Sequence, residues 1–340
     1  MSAAARLLAA LLADPGRVAQ VRTEQWPMLL TIARAERLAG TLALRLDGLK
    51  LPASVQAALD AARTEAQHNR TTALWESEMA RRALGDLGLP VILLKGTAYA
   101  AAGLTAGQGR QIGDLDILVP RDRLDTVEAA LLKAGWEWVK PDAYDDLYYR
   151  RWMHELPPLI HTERDRMIDV HHTILPLTAR PKPDAAALIA AAVPLRDGLF
   201  ALSPTDMVIH AAAHLIADGE LDGGMRNLWD IDRLVREFGV NDSHFFTILE
   251  VMAQRHGLSA ATTRALRLAH ALYATPLAAP FRARLSQTDR LFLARILARD
   301  CWGRGMNKPF RLGFYIRAHL IRMPLPLLLR HLWIKWRRMG

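Results

Sequence analysis

Three aspartates in the middle of the chain are of the residue type that binds hard cations. Asp114 and Asp116 flank Leu115 in the run Gly113-Asp114-Leu115-Asp116-Ile117-Leu118-Val119. In a strand, residues i and i+2 point to one face, so the two carboxylates project together while Leu115 and Ile117 turn to a core. Two carboxylates about 7 Å apart repel each other and have no local partner. A cation such as Mg²⁺ relieves that repulsion, since it takes one or two carboxylates together with substrate phosphates. The alternative is a solvated Asp-x-Asp at a strand start. Asp169 stands in the alternating run Met167-Ile168-Asp169-Val170-His171-His172 and shares a face with Met167 and His171. A carboxylate in an otherwise apolar strand is costly unless paired or metal-bound. Asp169 is therefore the expected third carboxylate, and His171 an expected outer partner of the site.

Upstream, Leu94-Lys95-Gly96-Thr97 follows a short apolar run. A glycine between strand and helix lets backbone N–H groups approach a phosphate, with Lys95 or Thr97 as an added donor. An ordinary turn has the same pattern. Arg110 precedes Asp114 by four residues, behind Gly107-Gln108-Gly109. It is either a phosphate-neutralising group or a surface arginine. His210 and His214 have the i, i+4 spacing of paired helix ligands, but residues 211–213 are all alanine, so the metalloprotease glutamate is missing and a packed pair is the simpler reading. His154, Glu155 and His161 fall where an acceptor site would be flanked. Arg226 and Asp230 are i, i+4 neighbours expected to pair, whereas Asp230 and Asp232 do not share a helix face.

The elements that must hold these groups follow from the texture of the chain. Residues 1–88 are rich in Ala, Leu, Arg and Glu and read as helical. Leu7, Leu8, Leu11 and Leu12 sit at helical spacing before a stop at Asp14-Pro15-Gly16, which favours a small amphipathic helix over a cleaved signal. One helix or two cover Ala53 to Leu87. Pro90–Leu94, Ile112–Val119, Tyr148–Trp152, Leu159–His161 and Met167–His172 read as strands, and Leu124–Lys133 as a helix closed by Ala134-Gly135. After Leu202 the helical pattern returns, with Ser203-Pro204 as a start. The expectation is an α+β protein with a small mixed sheet. Its parts are a helical N-terminal region (1–88), an α/β core (89–200), a helical domain (201–300) and a basic helical tail (301–340).

The bulk numbers set limits. The length of 340 residues suffices for two domains, and 51% hydrophobic with 23% charged residues is a globular composition. The single cysteine, Cys301, excludes an intramolecular disulfide and a cysteine zinc cluster, and fits a reducing, cytoplasmic setting. No run reaches the roughly 18 apolar residues of a membrane span. The net charge of +9 is local: residues 301–340 hold nine Lys/Arg and no acid, and the other 35 Lys/Arg balance 35 Asp/Glu. With a neutral body and no reading module, nucleic acid is not an expected partner. The segment Pro324–Trp336 joins leucines and tryptophans to flanking arginines and lysines. It reads as a helix lying on an anionic membrane surface, peripheral to the inner membrane, or as a final helix packed on the protein.

The motifs together resemble the polymerase β-like nucleotidyltransferases, and more closely the bacterial nucleotidyltransferase family found near exopolysaccharide and exosortase gene clusters. The resemblance rests on Leu93-Leu94-Lys95-Gly96, Arg110 with Asp114-Leu115-Asp116-Ile117-Leu118-Val119, Ile168-Asp169-Val170-His171, and Arg226-Asn227-Leu228-Trp229-Asp230-Ile231-Asp232. It implies an Mg²⁺-dependent transfer of a nucleotidyl group from an NTP to an acceptor hydroxyl on a small molecule, saccharide or protein. Asp114 and Asp116 would hold two ions, and Asp169 would help hold one and activate the acceptor. Lys95, Gly96, Thr97 and Arg110 would meet the phosphates. The setting implied is exopolysaccharide biosynthesis. Two departures stand out: Gly96-Thr97 replaces the usual Gly-Ser, and Asp114 lies 18 positions after Gly96, farther than is common. The long spacing and the basic tail also suit a catalytically inactive binding or scaffold protein of a membrane-associated polysaccharide pathway.

Overall fold

The computed structural model describes residues 2–140, 142–196, 198–217, 221–240, 242–326, 328, 329 and 333, without the side chains of 143–145. The chain starts with helix α1 (Ala3–Ala13). The Ser2 hydroxyl accepts from the Ala5 N–H at its start, and Asp14 closes it and then accepts from the Gly16 N–H in the next turn. Leu8, Leu11 and Leu12 are buried, as their helical spacing requires. Helices α2 (Trp26–Ala35), α3 (Ala39–Arg45) and α4 (Ala53–Leu84) follow. The stretch from Ala53 is one helix, with Gly85–Leu87 added as a 3-10 turn.

The sheet region contains β1 (Val91–Leu93), α5 (Lys95–Ala101), β2 (Leu115–Leu118), α6 (Leu124–Lys133), β3 (Trp136–Trp138), α7 (Ala143–Trp152), β4 (Leu159–His161), β5 (Met167–His171), α8 (Ala185–Ala190), β6 (Val193–Pro194) and β7 (Leu199–Ala201). One seven-stranded mixed sheet results, in the order β3-β4-β5-β2-β1-β7-β6. The β2–β5 and β1–β7 pairs are parallel and the others antiparallel. The protein is α+β, as its alternation of textures implies. Every residue of β1 and β2 is buried, because α4 and α5 pack against both strands.

Helices α9 (Pro204–Ala217), α10 (Gly224–Gly239), α11 (Phe245–Arg255), α12 (Ser259–Tyr273), α13 (Gln287–Ile296) and α14 (Lys308–Arg322) complete the described chain. α10 lies between α9 and α12. The main hydrophobic cluster runs from Ala5 through the sheet to Phe314 of α14, and Ala73, Ala100 and Ile112 form a small second one.

Three expectations need correction. Tyr148–Trp152 is not a strand but the last turns of α7, where Arg150 bonds Asp146 one helical turn back and Glu128 of α6. Aromatic side chains favour strands by type, but an i, i+4 ion pair is a helix device. The strand expected over Ile112–Val119 spans only Leu115–Leu118, so Asp114 precedes it. Strands β3, β6 and β7, of two or three residues each, lie outside every expected strand. Most of the basic apolar segment 324–336 lies outside the described residues.

Candidate functional site

Strand register assembles the carboxylates. β2 and β5 run parallel with Asp116 opposite Asp169 and Leu118 opposite His171. Neighbouring strands lie about 4.8 Å apart, so in-register side chains of equal parity share a face. Asp114, exposed and two residues before Asp116, joins them from the loop. Ligand oxygens of Asp114, Asp116 and Asp169 all lie within 4.8 Å of one another.

Two side chains hold Asp116. The Lys95 ammonium donates to Asp116 Oδ1 at 2.6 Å, and His171 Nε2 lies 3.0 Å from the same oxygen. Lys95 sits where β1 turns into α5, pinned by Leu94 N–H donating to the Asp116 carbonyl at 3.0 Å. Its φ of 50° is in the left-handed region, a strained backbone for lysine. Burial alone would raise the Asp116 carboxyl, but Lys95 and His171 outweigh it and hold the group well below the usual carboxylate range. Among the described residues Asp169 forms no ion pair. Burial first, then the charges of Asp116 and Glu155, push its carboxyl up to about 7.

A cavity of about 350 Å³ opens beside this cluster. Lys95, Gly96, Arg110, Asp114 and Asp116 form one wall; Arg37, His214, Asp222, Arg226 and Asn227 form the other. Arg110 and Arg226 both pair with Asp230 of α10, Arg226 at 3.4 Å. Arg226 also donates to the Arg37 carbonyl at 2.7 Å and to the Thr41 hydroxyl. Asp232 turns away to Arg233, Arg236 and Thr275, consistent with the diverging faces of i and i+2 on a helix.

Gly96 is in the first turn of α5, and a Cβ there would lie 2.4 Å from Arg110 Nε. The missing side chain makes room for the guanidinium stem. Gly109 serves the same strand-to-strand loop: its φ is +62°, and a Cβ would meet the Gly40 carbonyl at 2.5 Å. Thr97 is buried and is not among the cavity residues. His161 is also elsewhere, stacked edge-on against Trp136 and accepting from the Glu163 and Arg164 N–H groups. Of the helix pair, His214 faces the cavity and His210 is buried.

The sequence reading missed Arg37, Asp222 and His214 as cavity residues. Asp222-Gly223-Gly224 had the one readable signal, a glycine turn opening a helix; Gly223 takes a φ of +76° there. Glu155 was placed only loosely, and the structure sets its carboxylate 3.3 Å from His171 Nδ1.

An oxygen-only cluster next to lysine and arginine is chemistry of the hard-cation, phosphate-binding class. A family model described as uncharacterised nucleotidyltransferase matches residues 22–274, from just before α2 to just past α12, and includes all three aspartates. The chain belongs to that nucleotidyltransferase family. No curated protein and no solved structure matches it.

Proposed function

We propose that the protein transfers a nucleotidyl group from an NTP to an acceptor hydroxyl, using Mg²⁺ held by Asp114, Asp116 and Asp169. The observation that carries this is the convergence of three carboxylates within 4.8 Å beside a cavity walled by Lys95, Arg37, Arg110 and Arg226. The donor set fits such ions: it is all oxygen, and Asp169, raised to about 7, is a half-buried carboxylate short of positive charge. Asp114, Asp116 and Asp169 would hold a pair of such ions, which would neutralise the phosphates and help orient the reacting oxygens. Lys95, beside the Gly96 turn, and Arg110 face the triphosphate; Arg226 fixes Arg110 through Asp230. The acceptor oxygen bonds to the α-phosphorus, the α–β bridge breaks, and pyrophosphate leaves. Asp169 is the group positioned to take the hydroxyl proton. His171 holds Asp116 in place.

The test is NTP binding and pyrophosphate release with Mg²⁺. Both should occur in the wild type, and Asp116→Ala should abolish them. Release that persists in Asp116→Ala refutes the assignment. One observation favours a second reading, a catalytically inactive binding protein: Lys95 and His171 both pair with Asp116 Oδ1 and balance its carboxylate. NTP binding without pyrophosphate release from any acceptor pool would select it.

The reading extends to place and acceptor. Leu312, Tyr315, Ile316 and Leu320 form an outward stripe on α14, between 36% and 57% exposed, in a stretch of nine Lys/Arg and no acid. A cationic segment carrying an exposed apolar stripe suits an anionic bilayer surface. This supports a protein peripheral to the cytoplasmic side of the inner membrane. With the resemblance to the exopolysaccharide-associated family, it also supports a saccharide acceptor, lipid-linked and presented at that surface. Among the described residues, no helix is long and apolar enough to cross a membrane.

A further inference from the structure

We propose that His154, Glu155 and His171 form a second cation site, one for a borderline divalent ion such as Zn²⁺, distinct in chemistry from the aspartate cluster. Ligand atoms of the three residues lie within 4.8 Å of one another. Two imidazoles and a carboxylate are a nitrogen-rich set, which selects zinc-like ions over Mg²⁺.

The backbone fixes the set. Segment 154–156 is laced antiparallel to β5: Leu156 N–H donates to the Val170 carbonyl, and His172 N–H to the His154 carbonyl, both at 2.9 Å. Glu155 and His171 form a bridge between them. The ring centroids of His154 and His171 are 5.2 Å apart.

The second observation is an unmet polar atom. His171 is 2% exposed, and its Nδ1 has no hydrogen bond; the Nδ1 of His154 is also buried and unbonded. His171 Nε2 is engaged by Asp116 at 3.0 Å. With the proton on Nε2, donated to that carboxylate, Nδ1 presents a lone pair. That lone pair faces Glu155 Oε2 at 3.3 Å, another electron-rich atom. A cation between them satisfies both. The result is the carboxylate–histidine–metal series common at zinc sites, with Asp116 as the outer carboxylate. The ion would thus position Asp116 through His171 without touching the nucleotide. This inference does not rest on nucleotidyl transfer, and its test is independent of it.

The experiment uses the full, tag-free chain, stripped with a chelator and titrated with Zn²⁺ against a chromophoric competitor, and with Co²⁺ by visible absorption. Wild type should take up a single tight equivalent of Zn²⁺, and its Co²⁺ form should show the d–d bands of nitrogen ligation. His154→Ala and Glu155→Gln should each weaken binding by roughly tenfold or more. The double variant Asp114→Asn/Asp169→Asn should keep it. The proposal is overturned if wild type retains no Zn²⁺. It is also overturned if binding follows the aspartates and not His154 and Glu155. Should the histidine and glutamate variants fail to fold by circular dichroism, the wild-type Co²⁺ spectrum decides: bands of oxygen-only ligation refute the site.

Discussion

Asp230 balances two buried guanidinium groups at once, and that makes the role of Arg110 measurable. The side chains of Arg110, Arg226 and Asp230 are 14%, 4% and 3% exposed. Asp230→Ala leaves two cations without their shared carboxylate. Breaking one buried pair costs about 3–5 kcal/mol. Arg226 keeps the Arg37 carbonyl and Thr41 hydroxyl as acceptors, and Arg110 borders a cavity that admits water. The expected loss is therefore about 3–4 kcal/mol, not twice the single-pair figure. Arg110→Met removes one cation and leaves Asp230 paired with Arg226, at an expected cost of about 1–2 kcal/mol. The double variant Arg110→Met/Asp230→Ala should fall short of the sum by about 1–2 kcal/mol, since the two residues share one interaction.

Urea unfolding followed by circular dichroism gives the stabilities, and NTP titration gives the function. Asp230→Ala within about 1 kcal/mol of wild type, or strict additivity of the pair, refutes the electrostatic reasoning. The binding arm separates the two roles of Arg110. A purely structural tie predicts that Arg110→Met binds NTP normally. A phosphate contact predicts that it is folded and binds poorly.

Two further predictions concern the surface. In α4, Arg81 and Arg82 bond Glu78 at 2.7 and 2.6 Å, and these bonds hold its carboxyl down to about 2. The pairs lie on the helix surface, so solvent screens them and Glu78→Gln should cost only about 0.5–1 kcal/mol at neutral pH. The folded pKa lies below the reference 4.5, so this stability is complete above pH 4.5 and fades as pH falls toward 2; a difference that grows on acidification contradicts it. The full chain should co-sediment with phosphatidylglycerol vesicles, less so at high salt, and hardly at all with phosphatidylcholine alone. Leu312→Glu/Ile316→Glu should weaken this by about tenfold or more, and equal binding to both vesicle types rules out the proposed docking surface.

How much of this was legible depended on whether the signal was periodic. Strand parity is a local property, so the alternation through Met167–His172 placed Asp169 and His171 on one face, and the parallel register put Asp116 beside them. The i, i+4 pairing of Arg226 with Asp230 was local in the same sense. Strands β3, β6 and β7, of two or three residues, carry no period; β1 and β4 are as short, and β1 was legible from its apolar run and not from alternation. The far wall of the cavity was out of reach for another reason. Arg37 and Arg226 are brought together by the Arg226 bond to the Arg37 carbonyl, a contact no spacing encodes. Gly96 showed the limit of a motif: it reads as a phosphate turn, and its immediate neighbour is the Arg110 side chain.

The charge balance of the site is uneven, and the unevenness bears on Lys95. Asp116 has an ammonium and an imidazole on one oxygen, while Asp169 forms no ion pair among the described residues. A cation entering as proposed would gain most from Asp169 and the exposed Asp114, and would meet Lys95 as a competitor at Asp116. Lys95 also lines the cavity. An ammonium displaced from Asp116 has a phosphate-sized space beside it and a flexible four-carbon stem to reach it. On the proposed function, counter-ion to Asp116 and ligand to a triphosphate would be successive tasks for one side chain, exchanged when positive charge arrives on the aspartates.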